Sequence, residues 1–410
     1  MCGVGVGMDD VIAAGATVDW RSLGERTLCD ACLGRLLGKA GHGFTNEQRG
    51  RSLRGAYRIP QRGPCWLCRG LLTEVPKFAD LAVGRLRDWE YHTFLVGSKV
   101  DLDIAAREES LWAELLLAQA EPIKTEINRE VGKLVAAATD KEVDLQRPDI
   151  AVLVDTQYDV VELDIAPLFV YGRYRKLART VPQTRWPCKR CRGKGCGHCG
   201  GKGKMYDTSV EEVVAVEVMK QTGGAGHALH GMGREDVDAL MLGNGRPFVL
   251  EIAQPTRRSV NLSTVADAVN GSGIVEVEGL RPSNRGEVVQ VKEDRAEKTY
   301  RARVRFQTPP DVAKLKAGIA TLAGARIAQR TPARVSHRRS DLVRHRVLKA
   351  VELLRADGGE AEVLVTAEAG TYVKEALHGD AGRTTPSLAA LCGIPCEVLE
   401  LDVLRIHDEG

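Results

Sequence analysis

Gly233-Arg234-Glu235-Asp236-Val237-Asp238, closed by Leu242-Gly243-Asn244-Gly245-Arg246-Pro247-Phe248, is the stretch around which this 410-residue chain is organised. Four charges fall within its first six residues, and Phe248, Val249, Leu250 and Ile252 read as a strand behind it. A charged loop bounded by glycines and leading into a strand is a frequent seat of catalytic groups. Composition alone favours a plainer reading, a solvated turn with a surface Arg-Asp pair.

The wording of the stretch reverses that preference. Gly-Arg-x-Asp resembles the catalytic loop of pseudouridine synthases, and the longer GREDVDALMLGNGRPF resembles the archaeal and eukaryotic tRNA pseudouridine-54/55 synthases. The resemblance implies an isomerase, an intramolecular transferase that breaks the uracil N1–C1′ bond, turns the base and rejoins it at C5. It implies Asp236 as the catalytic carboxylate, acting as nucleophile or base. Asp238 is the rival by residue type, and motif position favours Asp236. No organic cofactor is implied, because the reaction needs neither redox chemistry nor an energy source.

Three further words carry the family's pattern. Lys298-Thr-Tyr300-Arg-Ala-Arg-Val304 is a strand by strict alternation, with Tyr300, Ala302, Val304 and Phe306 on its apolar face. On periodicity Tyr300 is a core residue; the resemblance makes it the aromatic that stacks on the target base. Gly370-Thr-Tyr-Val-Lys374, read as the continuation of a strand from Val363, implies that Lys374 pairs with the catalytic aspartate, where some relatives have arginine. The closing strand Val398–Leu404 implies that Leu401 packs near the substrate pocket; by itself it is a core leucine.

Composition limits the alternatives. With 58 basic and 55 acidic residues the net charge is only +3, so affinity for nucleic acid must come from local patches. The absence of an 18-residue apolar run and of a basic-then-apolar start points to a cytoplasmic protein with no membrane partner. No protein partner is evident, and a monomer is expected. Eight of the 11 cysteines stand in CxxC pairs, a pattern of metal ligation in a reducing compartment.

Cys29, Cys32, Cys65 and Cys68 form two knuckles separated by 32 residues, the ligand set of a structural zinc site. The insert between them is basic (Arg35, Lys39, Arg49, Arg51, Arg54, Arg58, Arg62), and either touches phosphate or is solvated. Cys188, Cys191, Cys196 and Cys199 lie in a stretch with six glycines and six basic residues. Its knuckles are only four residues apart, so a second tetrahedron around them is strained; the stretch is a second zinc site or a flexible basic loop.

Between them the pattern predicts an α+β segment. It has a strand at Tyr91–Val96, helices at Ser110–Gln119 and Ile123–Ala138, and strands at Ile150–Val154, Val160–Ile165 and Leu168–Tyr171. With Tyr171-Gly-Arg173-Tyr-Arg175-Lys176 at its exit, it resembles a THUMP-type RNA-binding domain. Downstream, helices are expected at Thr208–Val218, Ser263–Val269 and Val312–Leu322, and strands at Ile274–Leu280 and Val288–Lys292. The stretch Gln329–Arg346 is the richest in basic residues and is expected to meet the RNA backbone.

The expected architecture is multidomain α+β. A zinc-binding module (1–70) and a THUMP-like domain (71–177) precede a catalytic domain (178–410) with a mixed, largely antiparallel sheet. The expected partner is tRNA. The rivals are a non-catalytic tRNA-binding protein or chaperone, and a THUMP-bearing methyltransferase or thiolase. The last pair would need a pyrophosphatase loop or a methyl-donor loop, and neither is present in the sequence.

Overall fold

Two glycines bring the first two long-range neighbours together. A Cβ on Gly34, in the helix Asp30–Arg35, would lie 1.8 Å from the Asn46 carbonyl oxygen. One on Gly50, in the helix Asn46–Tyr57, would lie 1.8 Å from that of Asp30. The two helices therefore cross backbone to backbone, closer than any side chain permits. Thr45 and Gln48 close a capping box at the start of the second helix.

The structure, a computed structural model, describes residues 7–336 and 340–408; Cys2 and His337, Arg338 and Arg339 of the basic stretch lie outside the described residues. The chain forms two units, one of residues up to Ala166 with Thr256–Arg258, the other of Pro167–Pro255 with Ser259 onward.

In the first unit, strands β1 (Thr93–Lys99), β2 (Glu142–Val143), β3 (Ile150–Asp155) and β4 (Val160–Ile165) form a sheet in the order β2-β1-β3-β4. β1 runs parallel to both neighbours, and β4 is antiparallel to β3. One apolar core runs from Leu33, Leu53 and Leu67 beside the first cysteines to Phe78, Phe94, Ile127 and Val152. Charge ties the same parts together. The wholly buried Arg35 pairs with Glu108, lies 3.1 Å from Glu126 and donates to the Glu121 carbonyl at 2.9 Å. Arg49 donates to the carbonyls of Ala40, Gly41 and Phe44, and Arg54 to Asp30 and to Leu28. Three of the insert's seven basic residues are thus internal struts, not phosphate contacts.

The helix expected at Ser110–Gln119 runs instead from Leu102 to Glu114. Asp101 caps it by accepting from the Asp103 amide, and Leu116 leaves it with a φ of 53° and 90% exposure. The helix Ile123–Thr139 agrees with expectation, burying Ile127, Val131 and Val135.

Among its described residues the second unit holds ten strands: β5 (Leu168–Lys176), β6 (Gly226–Gly231), β7 (Met241–Ala253), β8 (Val275–Pro282), β9 (Glu297–Phe306), β10 (Arg326–Arg330), β11 (Val343–Asp357), β12 (Glu360–Ala367), β13 (Thr384–Thr385) and β14 (Cys396–His407). Their order is β13-β10-β11-β12-β9-β14-β7-β5-β8, with β6 also on β7. Only the β7–β14 pair is parallel among the described strands of this sheet, so it is mixed and largely antiparallel. Two apolar clusters pack on it, and Tyr300 of β9 touches both.

Three expectations are corrected here. Leu168–Tyr171, read as a strand of the THUMP-like segment, and its basic exit Tyr171–Lys176 form one strand that lies within the sheet of the second unit, between β7 and β8. Val288–Lys292, read as a strand, belongs to a helix Arg285–Glu293, because Asn284 caps it and Val288 and Val291 bury one face at helical spacing. Val373–His378 is a helix, so Lys374 stands in its first turn rather than on a strand. Among the described residues no helix is long and apolar enough to cross a membrane.

The glycine crossing gives a direct test. Gly34→Ala should lower the stability of the first unit by about 1–3 kcal/mol or more, as overpacking does. Urea unfolding followed by Trp fluorescence measures it; an unchanged midpoint would mean that the helices do not cross this closely.

Candidate active site and metal centres

The stretch from Gly233 to Leu240 is a loop joining β6 to β7, and its backbone carbonyls are held one by one. Arg246 Nη1 donates to Met232 O at 2.5 Å, and Gln183 Nε2 to Gly233 O at 2.9 Å. Lys176 Nζ donates to Asp236 O at 3.2 Å and Val237 O at 3.1 Å, and Arg179 Nη1 to Asp238 O at 2.7 Å. At the far end the buried Asp402 accepts from the Leu240 amide at 3.1 Å. A loop so anchored has little freedom to move its side chains out of register.

Glu235 is the buried acid of the loop. Its carboxylate accepts from Arg246 Nε at 2.9 Å and from the Tyr174 hydroxyl at 3.0 Å, with Lys176 Nζ 4.0 Å away. Burial lowers the pKa of Lys176, and the Glu235 charge opposes it. The alternation of β5 turns Tyr174 and Lys176 inward, while Arg173 pairs with Asp408 and Arg175 with Glu276 and Glu278. The segment expected as a basic RNA-facing exit is therefore the backing of the loop.

With Glu235 inside, the loop presents Asp236 (38% exposed) and Asp238 (64% exposed). Lys374 lies 3.4 Å from Asp236 and 2.9 Å from Asp238, so it spans both and is nearer the second. Burial of Asp238 would raise its pKa, but the hydrogen bond and charge of Lys374 outweigh it and hold the carboxyl below its ordinary value. A second cation, Arg334, lies 3.3 Å from Asp236 and 2.7 Å from the buried Glu375.

Tyr300 is half-buried at the junction of the two apolar clusters; burial pushes its phenol up, and its electrostatic neighbours include Arg246, Glu235 and Asp236. Leu401 of β14 is opposite Ala302, as Val403 is opposite Tyr300, so Leu401 and Tyr300 share one face of the sheet. The structure thus gathers Asp236, Lys374 and Tyr300 around one loop, with Leu401 two positions along the neighbouring strand. Reading the sequence did not assign Arg334, Glu375, Tyr174, Lys176, Arg246, Arg179 or Asp402 to this site. The available signals were a lysine and a tyrosine in register on a β strand and an aspartate inside the apolar closing strand.

The cysteines form two groups, Cys29, Cys32, Cys65 and Cys68, and Cys188, Cys191, Cys196 and Cys199, each with its sulfurs within 4.8 Å of one another. Four thiolates about 2.3 Å from a tetrahedral ion are about 3.8 Å apart. The observed separations are 3.8 Å for Cys29–Cys68, and 3.9, 3.8 and 3.8 Å for Cys188–Cys196, Cys191–Cys199 and Cys196–Cys199. Both groups can hold a metal ion. The strain expected in the second is absorbed by glycine: Gly195 and Gly203 have φ of 87° and 68°, and a Cβ on either would strike the facing turn at 2.6 and 2.3 Å. Amides of Gly195, Cys196 and Gly203 point at the sulfurs of Cys191 and Cys199 at 3.2–3.3 Å.

Comparison with known proteins gives the family. The family described as Pus10, C-terminal, matches residues 169–407, and the archaeal Pus10 THUMP domain matches residues 78–155. The tRNA pseudouridine synthase Pus10 of Methanothrix thermoacetophila is 41% identical over 92% of this chain and 91% of its own length. That of Halorubrum lacusprofundi is 42% identical over 95% of each. A solved Cbf5–Nop10–Gar1 complex matches at 17% identity and a TM-score of 0.34, over 58% of this chain and 50% of that one, too loosely to bear on the assignment. The chain is a pseudouridine synthase, an isomerase. It belongs to the Pus10 family.

The buried charges behind the loop make their own prediction. Lys176→Met leaves Glu235 short of one cation and three carbonyls (Val181, Asp236, Val237) without their donor. Breaking a buried pair in this way destabilises by about 3–5 kcal/mol. Chemical denaturation should show that loss in the second unit; a loss below about 1 kcal/mol would mean that Lys176 is not holding the loop.

Proposed function

We propose that the chain converts uridine to pseudouridine in the T arm of tRNA, at position 54, 55 or both, with Asp236 as the catalytic carboxylate. One observation carries the assignment: Asp236 is the loop carboxylate that pairs with two cations, Lys374 and Arg334, and its charge acts on Tyr300. Glu235 is consumed in the interior, and Asp238 projects further into solvent. The names of the relatives support tRNA as the substrate.

In this reading Lys374 balances the aspartate's charge and Tyr300 stacks on the uracil once the base has left its neighbours. Leu401 packs beside the base. Stacking of this kind is worth roughly 1–3 kcal/mol per base. In the first unit, Arg62 and Arg69 line a cavity of about 760 Å³ with Arg26, Arg107 and Trp66, a surface suited to the RNA backbone. By the motifs they carry, we divide the chain into a metal module (1–70), a THUMP-like RNA-binding module (71–177) and a catalytic module (178–410). Packing joins the first two and gives β5 to the catalytic sheet.

We assign zinc to both cysteine groups. Four thiolates would close the coordination sphere of each ion, which would then be structural, with no open position for chemistry.

Two experiments test these readings. Asp236→Asn should abolish pseudouridine formation in a tRNA transcript while tRNA affinity stays within a few-fold. Retained turnover, or loss of it only in Asp238→Asn, would sink the assignment. Elemental analysis of protein purified without added metal should find about two equivalents of zinc, and one or none would remove one or both sites.

A further inference from the structure

One cation at the catalytic loop has no place in the roles set out above. Arg334 sits on the short turn Ala333–Val335, in the stretch whose charge suggested contact with RNA. Its guanidinium instead bridges two protein carboxylates: Nη1 lies 3.3 Å from Asp236 Oδ1, and Nε 2.7 Å from Glu375 Oε1. Glu375 follows Lys374 in the helix Val373–His378, its side chain is 2% exposed, and its other oxygen has no hydrogen-bond partner among the described residues. A buried carboxylate with one oxygen unanswered depends on the cation at the other.

The planar guanidinium transmits that constraint. With one edge fixed on Glu375, its other edge can face only one direction, and that direction holds Asp236 Oδ1. Lysine at the same place would offer a single point charge on a flexible stem. Lys374 does not supply the same constraint, because its closest partner is Asp238 at 2.9 Å. The two cations therefore divide the work, Lys374 between both aspartates and Arg334 on Asp236.

We propose that Arg334, anchored by Glu375, is a positioning residue that holds the Asp236 carboxylate in its reactive orientation. The inference rests on the reading of Asp236 as the catalytic carboxylate. It differs from a phosphate-binding role for the basic stretch, which would act on affinity and its salt dependence.

The test measures single-turnover rate at saturating tRNA, together with tRNA Kd, for wild type, Arg334→Gln, Arg334→Lys, Glu375→Gln and the double variant R334Q/E375Q. Misplacing a reacting group by about 1 Å can slow a reaction about 100-fold. Arg334→Gln should lose about that much rate with Kd within about 3-fold, and Arg334→Lys should recover little of it. Glu375→Gln should lose about 10-fold, and the double variant should be no slower than Arg334→Gln alone, since both changes cut one link. Guanidinium ion added to Arg334→Ala should restore part of the rate.

A rise in Kd with the rate at saturation unchanged would overturn the inference in favour of an RNA contact. Additive losses in the double variant would overturn the anchoring by Glu375. Thermal midpoints are compared throughout, and rate loss only in proportion to unfolding would reduce both residues to structural roles. If Asp236→Asn is inactive while Arg334→Gln keeps full rate, this inference alone fails. If Asp236→Asn stays active, the underlying assignment fails with it.

Discussion

The buried pair of Glu235 with Arg246 is the constraint on which the Gly233–Leu240 loop depends. Both side chains are removed from water, and with them Tyr174 and Lys176. Such a cluster contributes little net stability, since desolvating the ions offsets most of their attraction. Its effect is on specificity. A glutamate in the third position of the loop can be satisfied only where Arg246, Tyr174 and Lys176 converge, and that forces the next residue, Asp236, to face outward. An apolar residue there would leave the loop free to adopt other arrangements of equal energy.

The sheet supplies the convergence. Arg246 comes from β7, Tyr174 and Lys176 from β5 beside it, and Asp402 from β14 on the other side. The loop is thus clamped across three adjacent strands at the place where β7 and β14 meet in parallel. Like the antiparallel pairs β9–β14 and β5–β7, this contact joins distant parts of the sequence. Tyr300 on β9, next to β14, faces both apolar clusters and so stands where the two halves of the packing meet.

What could be read from the sequence was whatever depends on local spacing. The CxxC knuckles, the alternation of Lys298–Phe306 and the helix Val312–Leu322 all report local geometry and stand where they were expected. Misreadings arose where a distant partner decides the outcome. Val288 and Val291 favour strand by their branching, but a cap at Asn284 and an apolar surface beneath made helix. Arg35 and Lys176 looked like surface charge, and Tyr174 like part of a basic surface segment, because most of the carboxylates and carbonyls that receive them lie far along the chain. Arg334 was hidden for the same reason: nothing within its own stretch announces Glu375 and Asp236 as partners.

The second cysteine group belongs to the same construction. The segment from Tyr174 to Trp186 touches the Gly233–Leu240 loop repeatedly, through Tyr174, Lys176, Arg179 and Gln183, and finally through Trp186, whose ring lies 5.7 Å from the Arg234 guanidinium. Trp186 is also the root of the glycine-rich loop, since its carbonyl accepts from Met205 and the next residue pairs with Lys204. Between those points the loop has no strand or helix beyond a short turn at Gly197–Cys199, and no apolar core of its own. Amides directed at sulfur and four thiols drawn to tetrahedral spacing are what a bound ion would organise there, and binding free energy of that kind is folding free energy. Residues 187–204 would then have a fixed base, and through Trp186 so would Arg234. The metal would act on catalysis only at this remove, by holding still the segment against which the loop is braced.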